Sequence, residues 1–190
     1  YQGGLNWKRG LKQVIESMPL WKSGAALCLV GNIDLQPSFP HEAMDLAKSL
    51  GVADRLLIKN TVPYLELPSI TRACDVGLGV MASAAQNTNI NIQHLAGASN
   101  KLVEYMAFGL PVVVPDTPEY REYVEAAGVG IVADVESVQS IADSIDVCLE
   151  CGEQRKAMSH SARQAFLDDL NFDSEFDKIL RLVDSREAVI

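Results

Sequence analysis

The chain has 190 residues and a formal net charge of -9, with 48% of its residues hydrophobic and 22% charged. These proportions are those of an ordinary folded protein with enough residues for one well-buried domain, and they argue against disorder. The acidic excess argues against nucleic acid or an anionic membrane as a partner, because both would be repelled. A small anionic ligand is compatible with this charge, since salt screens distant charges beyond about 8 Å.

No run of about 20 apolar residues and no basic-then-apolar leader is present, so the sequence predicts no membrane span and a cytoplasmic location. The four cysteines are too few for a disulfide scaffold at this length. Cys148 and Cys151 form a CxxC motif without a second pair or a nearby histidine. Core packing is therefore favoured over metal or redox chemistry at these two residues.

Hydrophobic periodicity and turn residues predict alternating strands and helices. The predicted strands lie at the start of the chain and at residues 25–31, 55–59, 75–80, 112–114 and 128–133. The predicted helices lie at residues 7–18, 41–50, 65–73, 100–108, 117–126, 137–150, 153–168 and 173–187. This order predicts a Rossmann-like α/β fold, a doubly wound, six-stranded parallel sheet with helices on both faces and C-terminal helices.

Residues 99–120 carry the most positional information. Ser99 or Asn100 is suited to cap a helix start, Gly109 ends that helix, and the valines at 112–114 form a strand buried on both faces. Lys101 and Glu104 are therefore predicted on the first turn of a helix that abuts the sheet. Ligands in such folds bind where helix N-termini point over the sheet edge. A surface ion pair between the two side chains is the alternative.

Two further segments are candidates for function. Gly3 and Gly4 lie at a predicted strand-to-helix turn, where glycines let a ligand approach backbone N–H groups. Residues 81–98 have no clear period, and a loop of this length inside a compact domain is usually functional or mobile. His94 lies in this loop, where a mobile surface histidine is favoured over a ligand contact.

Four segments in order carry a resemblance to a known family: YQGGLNWKRG, the LVG strand, VPYLELPSITRACDVGL and NKLVEYMAFGLPVVV. Together they resemble the C-terminal, nucleotide-sugar-binding half of a group 1 glycosyltransferase with the GT-B fold. The resemblance covers nearly the whole chain. It implies a donor-binding Rossmann-like domain, a separate N-terminal acceptor domain, and transfer that retains the anomeric configuration of the donor. The chain, 1–190, is accordingly expected to be a single donor-binding domain cut from a longer protein.

The resemblance implies a role for several residues. Glu104 occupies the place of a glutamate that bonds the ribose hydroxyls, as a carboxylate can accept from two hydroxyls at once. The base would be recognised near Lys59, Asn60 and Tyr64, although Tyr64 also suits an exposed turn. The donor diphosphate would be bound by Gly3, Gly4, Arg9, Gly97, Ser99, Asn100 and Lys101. A solvent-exposed position is the alternative for Arg9. No metal or cofactor is implied beyond the nucleotide-sugar substrate, and no catalytic residue is assigned.

The sequence departs from the family pattern at two positions. The first glutamate of the family's glutamate pair falls at Ala96, as in a subgroup with an NK(L/F)xEYMAxGxPVV-type signature, and the matching arginine of the first turn falls at Gly4. A sugar-contacting acid is therefore not assigned, and the diphosphate site lacks one cation. Two alternatives follow: a non-catalytic nucleotide- or phosphate-binding Rossmann module, and a GT-B sugar-nucleotide epimerase.

Overall fold

The computed structural model describes residues 1–79, 82, 99–150 and 152–187, with side chains described as far as residue 183. Over these residues the fold is α/β with parallel strands, as predicted. The predicted polar loop at 81–98 lies outside the described residues apart from Ala82. His94, Ala96, Gly97 and Cys151 also lie outside them.

Five short strands are present in the described part of the chain, and all pairs are parallel. They form a two-stranded sheet, β1-β2, and a three-stranded sheet, β3-β4-β5. In the second sheet Val112 is in register with Gly130 and Val113 with Ile131. The strands are β1 (Leu27–Gly31), β2 (Leu56–Asn60), β3 (Gly77–Leu78), β4 (Val112–Pro115) and β5 (Gly130–Ala133).

The helices alternate with these strands and then continue to the C-terminus. They are α1 (Leu11–Ser17), α2 (Phe39–Ser49), α3 (Leu67–Arg72), α4 (Asn100–Ala107), α5 (Pro118–Tyr120), α6 (Val138–Leu149), α7 (Glu153–Asp168) and α8 (Phe172–Glu187). No described helix combines the length and the hydrophobicity that a transmembrane segment needs.

Strand β4 shows how the helices cover both faces of the three-stranded sheet. Val112, Val113 and Val114 are all fully buried. Successive side chains of a strand point to opposite faces. Val113 belongs to a buried cluster with side chains of α1, α2 and α6, whereas Val112 and Val114 belong to a second cluster with side chains of α4 and α7. The first of these clusters also contains Leu27 and Leu29 of β1, so the two sheets share one hydrophobic core.

The predicted single six-stranded sheet is wrong for the described residues, because five strands form two sheets. The first predicted strand is reduced to one bridge between Gln2 and Val30. Val30 N–H donates to the Tyr1 carbonyl and Gly3 N–H donates to the Val30 carbonyl, both at 2.9 Å. Gly3 has a φ of 131°, outside the extended region, which limits this pairing. On the side away from β1, Gln2 N–H donates to the Tyr105 hydroxyl at 2.9 Å.

Three other predicted elements differ from the structure. The predicted helix at 7–18 is divided by Gly10, whose φ of 74° separates a 3-10 turn (Trp7–Arg9) from α1. The predicted helix at 117–126 continues from α5 as a π-helical turn (Arg121–Glu125). Strand β3 is two residues long instead of the predicted six, with Gly77 packed against the Tyr105 ring.

Cys148 packs in the core, as predicted for it. Burial raises the pKa of its thiol to about 12, so the thiol is protonated at neutral pH. Within the described part of the chain, no three His, Cys, Asp or Glu side chains lie close enough together to hold a metal ion.

Candidate functional site

The N-terminal segment and the end of β1 approach each other closely at two glycines. Leu5 N–H donates to the Asn32 carbonyl at 2.7 Å, so the segment follows the chain beyond β1. A Cβ built on Gly31 would lie 1.7 Å from the carbonyl oxygen of Gly3. Glycine is therefore required at position 31 for the two backbones to be in contact.

Helix α4 begins beside these glycines. Its N-cap is Ser99, which is buried, and the Ser99 carbonyl accepts from Leu102 N–H at 2.9 Å. The expected side-chain cap is not formed: Ser99 makes no capping hydrogen bond, and Asn100 is already the first helical residue. A capping side chain must stand before the first helical residue for its oxygen to reach the free N–H groups.

A cavity of about 410 Å³ lies between the N-terminal segment, the ends of β1 and β2, and the start of α4. This is the carboxyl end of the parallel strands, where α/β folds bind their ligands. The cavity is lined by Gln2, Gly3, Gly4, Val30, Gly31, Asn32, Thr61, Val62, Leu67, Asn100, Lys101 and Glu104.

Lys101 is a desolvated cation in this cavity. Its Nζ lies 4.7 Å from the centre of the Tyr1 ring and 3.5 Å from the Tyr1 hydroxyl. Burial and the nearby positive charge of Arg9 lower the pKa of Lys101 to about 8, against a smaller opposing effect of Glu104. One positive group therefore lines the cavity with much of its water removed while a second acts on it from nearby, which favours an anion beside Lys101.

Glu104 lies one turn further along α4 and is held from across the cavity. Its Oε2 accepts a hydrogen bond from Nε2 of Gln2. Partial burial raises the pKa of Glu104, and the positive charge of Lys101 opposes that rise. The carboxylate is therefore a hydrogen-bond acceptor at the cavity wall with one oxygen already engaged.

The structure brings together five of the residues predicted from sequence. Gly3, Gly4, Asn100, Lys101 and Glu104 all line the cavity. Arg9 does not line it, but its charge acts on Lys101. Ser99 is buried at the start of α4. Gly97 lies outside the described residues.

The three residues predicted for base recognition do not line the cavity. Lys59 and Asn60 are exposed at the end of β2, and the Tyr64 side chain is 75% exposed. Thr61 and Val62 line the cavity in their place. These two lining residues follow directly after Lys59 and Asn60 at the same strand end.

Sequence reasoning also missed Gln2. A glutamine inside a predicted buried strand was the available signal, because a buried amide needs polar partners. Gln2 is 7% exposed and finds such partners in Glu104 and Thr71.

A second cavity of about 290 Å³ lies at the opposite end of the strands, between β1 and the segment that leads into β3. Its wall is mostly apolar, with Trp21, Leu27 and Ile145 among the lining residues. Among the described residues that line it there is no Lys or Arg, and it is located away from the carboxyl ends of the strands. The first cavity is therefore the candidate site.

Comparison with protein families shows to which family the chain belongs. The family described as "Glycosyl transferases group 1" matches residues 1–165. The chain belongs to this family. A comparison with proteins of curated function found no match.

Solved glycosyltransferases share the fold of this chain at low sequence identity. Anabaena Alr3699/HepE in complex with UDP-glucose is 18% identical with a TM-score of 0.76, over 97% of this chain and 48% of that protein. Sucrose-phosphate synthase from Thermosynechococcus elongatus is 14% identical with a TM-score of 0.74, over 100% of this chain and 46% of that protein. The chain therefore spans about half the length of these relatives.

A solved domain of similar size shares the same fold. The C-terminal domain of the group 1 glycosyltransferase LpcC from Francisella tularensis is 17% identical with a TM-score of 0.72, over 90% of this chain and 87% of that domain. The α/β architecture of this chain is thus that of group 1 glycosyltransferases.

Proposed function

We propose that the chain is the nucleotide-diphospho-sugar-binding half of a retaining glycosyltransferase, and that a separate N-terminal domain binds the acceptor. The observation that carries the proposal is the cavity at the carboxyl ends of the strands, where Lys101 and the start of α4 meet Gly3 and Gly4 and the positive charge of Arg9 acts on Lys101. Family membership supports a transferase, and the lengths of the solved relatives support a second domain.

The diphosphate is assigned to the side of the cavity formed by Gly3, Gly4 and the first residues of α4. The positive end of a helix dipole favours an anion by roughly 0.3–1 kcal/mol. Lys101 and Arg9 supply two cations, and Gly3 allows a phosphate to approach the backbone. No metal ion is part of the proposal, because these groups balance the charge of the diphosphate.

Glu104 is assigned to the ribose of the nucleotide. Its carboxylate accepts from hydroxyl groups and lies one turn along α4 from the cation Lys101. The base is then assigned to the side formed by Thr61, Val62 and Leu67, next to the Lys59, Asn60 and Tyr64 region implied by family resemblance.

The contribution of this domain to catalysis is positional and electrostatic. It holds the nucleotide, stabilises the negative charge of the departing diphosphate with Lys101, Arg9 and backbone N–H groups, and presents the sugar to the acceptor. The isolated chain should therefore bind a nucleoside diphosphate without turning over. Robust sugar transfer by the isolated chain would contradict this division of labour.

Glu104→Gln should weaken nucleoside diphosphate binding by about tenfold to a hundredfold, because hydrogen bonds to a charged group contribute roughly 1.5–3 kcal/mol. Isothermal titration calorimetry with UDP, GDP and ADP measures the effect. UDP is the first choice, since the HepE structures contain UDP-glucose or UDP.

Glu153→Gln is the matched control for this experiment, because Glu153 is on α7 with its side chain 93% exposed. It should leave the dissociation constant unchanged. If the wild-type chain binds none of the three nucleotides, the donor-binding function is wrong. Equal loss in both variants would also count against the role of Glu104.

A further inference from the structure

The side chain of Gln2 bridges two elements at the cavity wall. Its Nε2 donates to Oε2 of Glu104 on α4, and its Oε1 accepts from the hydroxyl of Thr71 on α3 at 2.9 Å. Its backbone N–H donates to the Tyr105 hydroxyl at 2.9 Å. Gln2 and Thr71 are 7% and 4% exposed.

The chemistry of these partners fixes the orientation of the Gln2 amide. An ionised carboxylate can only accept hydrogen bonds, so the NH₂ group of Gln2 must face Glu104. The amide oxygen then faces Thr71, whose hydroxyl has a proton to donate. Thr71 also lies 3.0 Å from the Leu67 carbonyl, and its single proton is shared between the two acceptors. The hydrogen bonds therefore run in one direction, from Thr71 to Gln2 and from Gln2 to Glu104.

We propose that Gln2, oriented by Thr71, is a positioning residue that holds one oxygen of Glu104 and leaves the other for the ribose hydroxyls. The proposal rests on the nucleotide-binding function proposed above. In the absence of Gln2, the Glu104 side chain would rotate among several conformers, and hydroxyl binding would have to restrict it again. Gln2 would therefore contribute to specificity for ribose without touching the base or the diphosphate.

The charged groups around Glu104 give this arrangement a second consequence. Lys101 favours the ionised carboxylate, while burial disfavours it, and Tyr105 is the nearest other titratable group on α4. Arg9 acts on Lys101 and on Tyr1, whose ring contacts Lys101. The Gln2 amide adds a donor to the ionised form of Glu104. Removing that donor should raise the pKa of Glu104.

The test is a comparison of UDP with 2′-deoxy-UDP by calorimetry in the wild type, Gln2→Met and Thr71→Val. If the wild type binds GDP or ADP instead of UDP, the comparison uses the bound nucleotide and its 2′-deoxy form. Methionine keeps most of the volume of glutamine but has no amide. We expect Gln2→Met to lose about tenfold in UDP affinity and most of the wild-type preference for ribose over deoxyribose. Thr71→Val should show a smaller loss of the same preference.

An unchanged preference for ribose in Gln2→Met would overturn the positioning role. So would an equal loss of affinity for both nucleotides, since a packing defect has that effect. Titration of the Glu104 carboxyl by ¹³C NMR provides a readout without ligand: its pKa should rise in Gln2→Met, and an unchanged pKa contradicts the proposed hydrogen bond. Failure of the wild type to bind any nucleotide would instead remove the donor-binding function, and the ribose role with it.

Discussion

Gly31→Ala should destabilise the protein by about 3–5 kcal/mol, because alanine at this position meets both backbone strain and a backbone clash. Gly31 has a φ of 153°, and its Cβ would lie 1.7 Å from the oxygen and 2.7 Å from the carbon of the Gly3 carbonyl. Gly3 cannot move away without losing its 2.9 Å hydrogen bond to the Val30 carbonyl. Urea denaturation followed by circular dichroism measures the change in the free energy of unfolding.

Gly51→Ala is a control for the general cost of a side chain at a positive φ. Gly51 also has a positive φ, 71°, but a Cβ there meets no atom within 4 Å. Its substitution should cost about 1 kcal/mol, the usual price of the left-handed conformation for a residue with a side chain. If Gly31→Ala costs no more than Gly51→Ala, the close contact between positions 3 and 31 is not present in solution.

Lys101→Met should stabilise the protein and weaken nucleotide binding at the same time. The folded state lowers the pKa of Lys101 from 10.5 to about 8, so it disfavours the charged amine. At pH 7 the amine is charged in both states and the full cost is present. Methionine removes this cost and keeps the apolar contact with Tyr1, for a gain of roughly 1–3 kcal/mol after the lost cation–π contact.

The dependence on pH tests the sign of this effect. Between pH 8 and 10.5 the unfolded chain binds more protons at Lys101 than the folded chain does, so the wild type gains stability as the pH rises. The advantage of Lys101→Met should therefore shrink over this range. Thermal denaturation at several pH values measures it. A variant less stable than the wild type at pH 7 would contradict the desolvation of Lys101.

Nucleotide binding, unlike stability, should favour the wild type over Lys101→Met. Wild-type affinity for UDP should decrease as the pH rises above 8, because Lys101 loses its proton, while the phosphates are already ionised at these pH values. Lys101→Met should bind UDP about tenfold more weakly at pH 7.5, since it lacks one charge-assisted contact. Its affinity should stay constant between pH 7.5 and 8.5, below the range in which the uracil N3–H ionises. A parallel decrease in both proteins would assign the pH dependence to another group.

The elements with strong local signals were predictable from the sequence. Helix α4 and strand β4 lie within one residue of their predicted bounds, because a capping residue, Gly109 and three consecutive valines mark their limits. Helix α7 has the predicted bounds, Glu153–Asp168. The presence of Lys101 and Glu104 at the carboxyl end of the strands follows from the same local signals and the general rule for parallel sheets.

The remaining features depend on partners distant in sequence. Residues 1–3 were predicted as a strand, but Gly3 departs from the extended conformation and the pairing is reduced to one bridge, while on the side away from β1 the Gln2 N–H donates to Tyr105. The capping role of Asn100 failed because the helix starts at that residue itself. Tyr64 could not be excluded from the site by local sequence, since an exposed turn tyrosine and a ligand contact have the same local pattern.

The hydrogen bonds across the candidate site join residues about a hundred positions apart. The separation is 103 residues for Gln2 to Tyr105, 102 for Gln2 to Glu104, and 100 for Tyr1 to Lys101. Closing so long a loop costs entropy that nearby contacts do not require, so such contacts form late in folding. The cavity should thus be absent from partly folded chains, and the ability to bind a ligand should report that folding is complete.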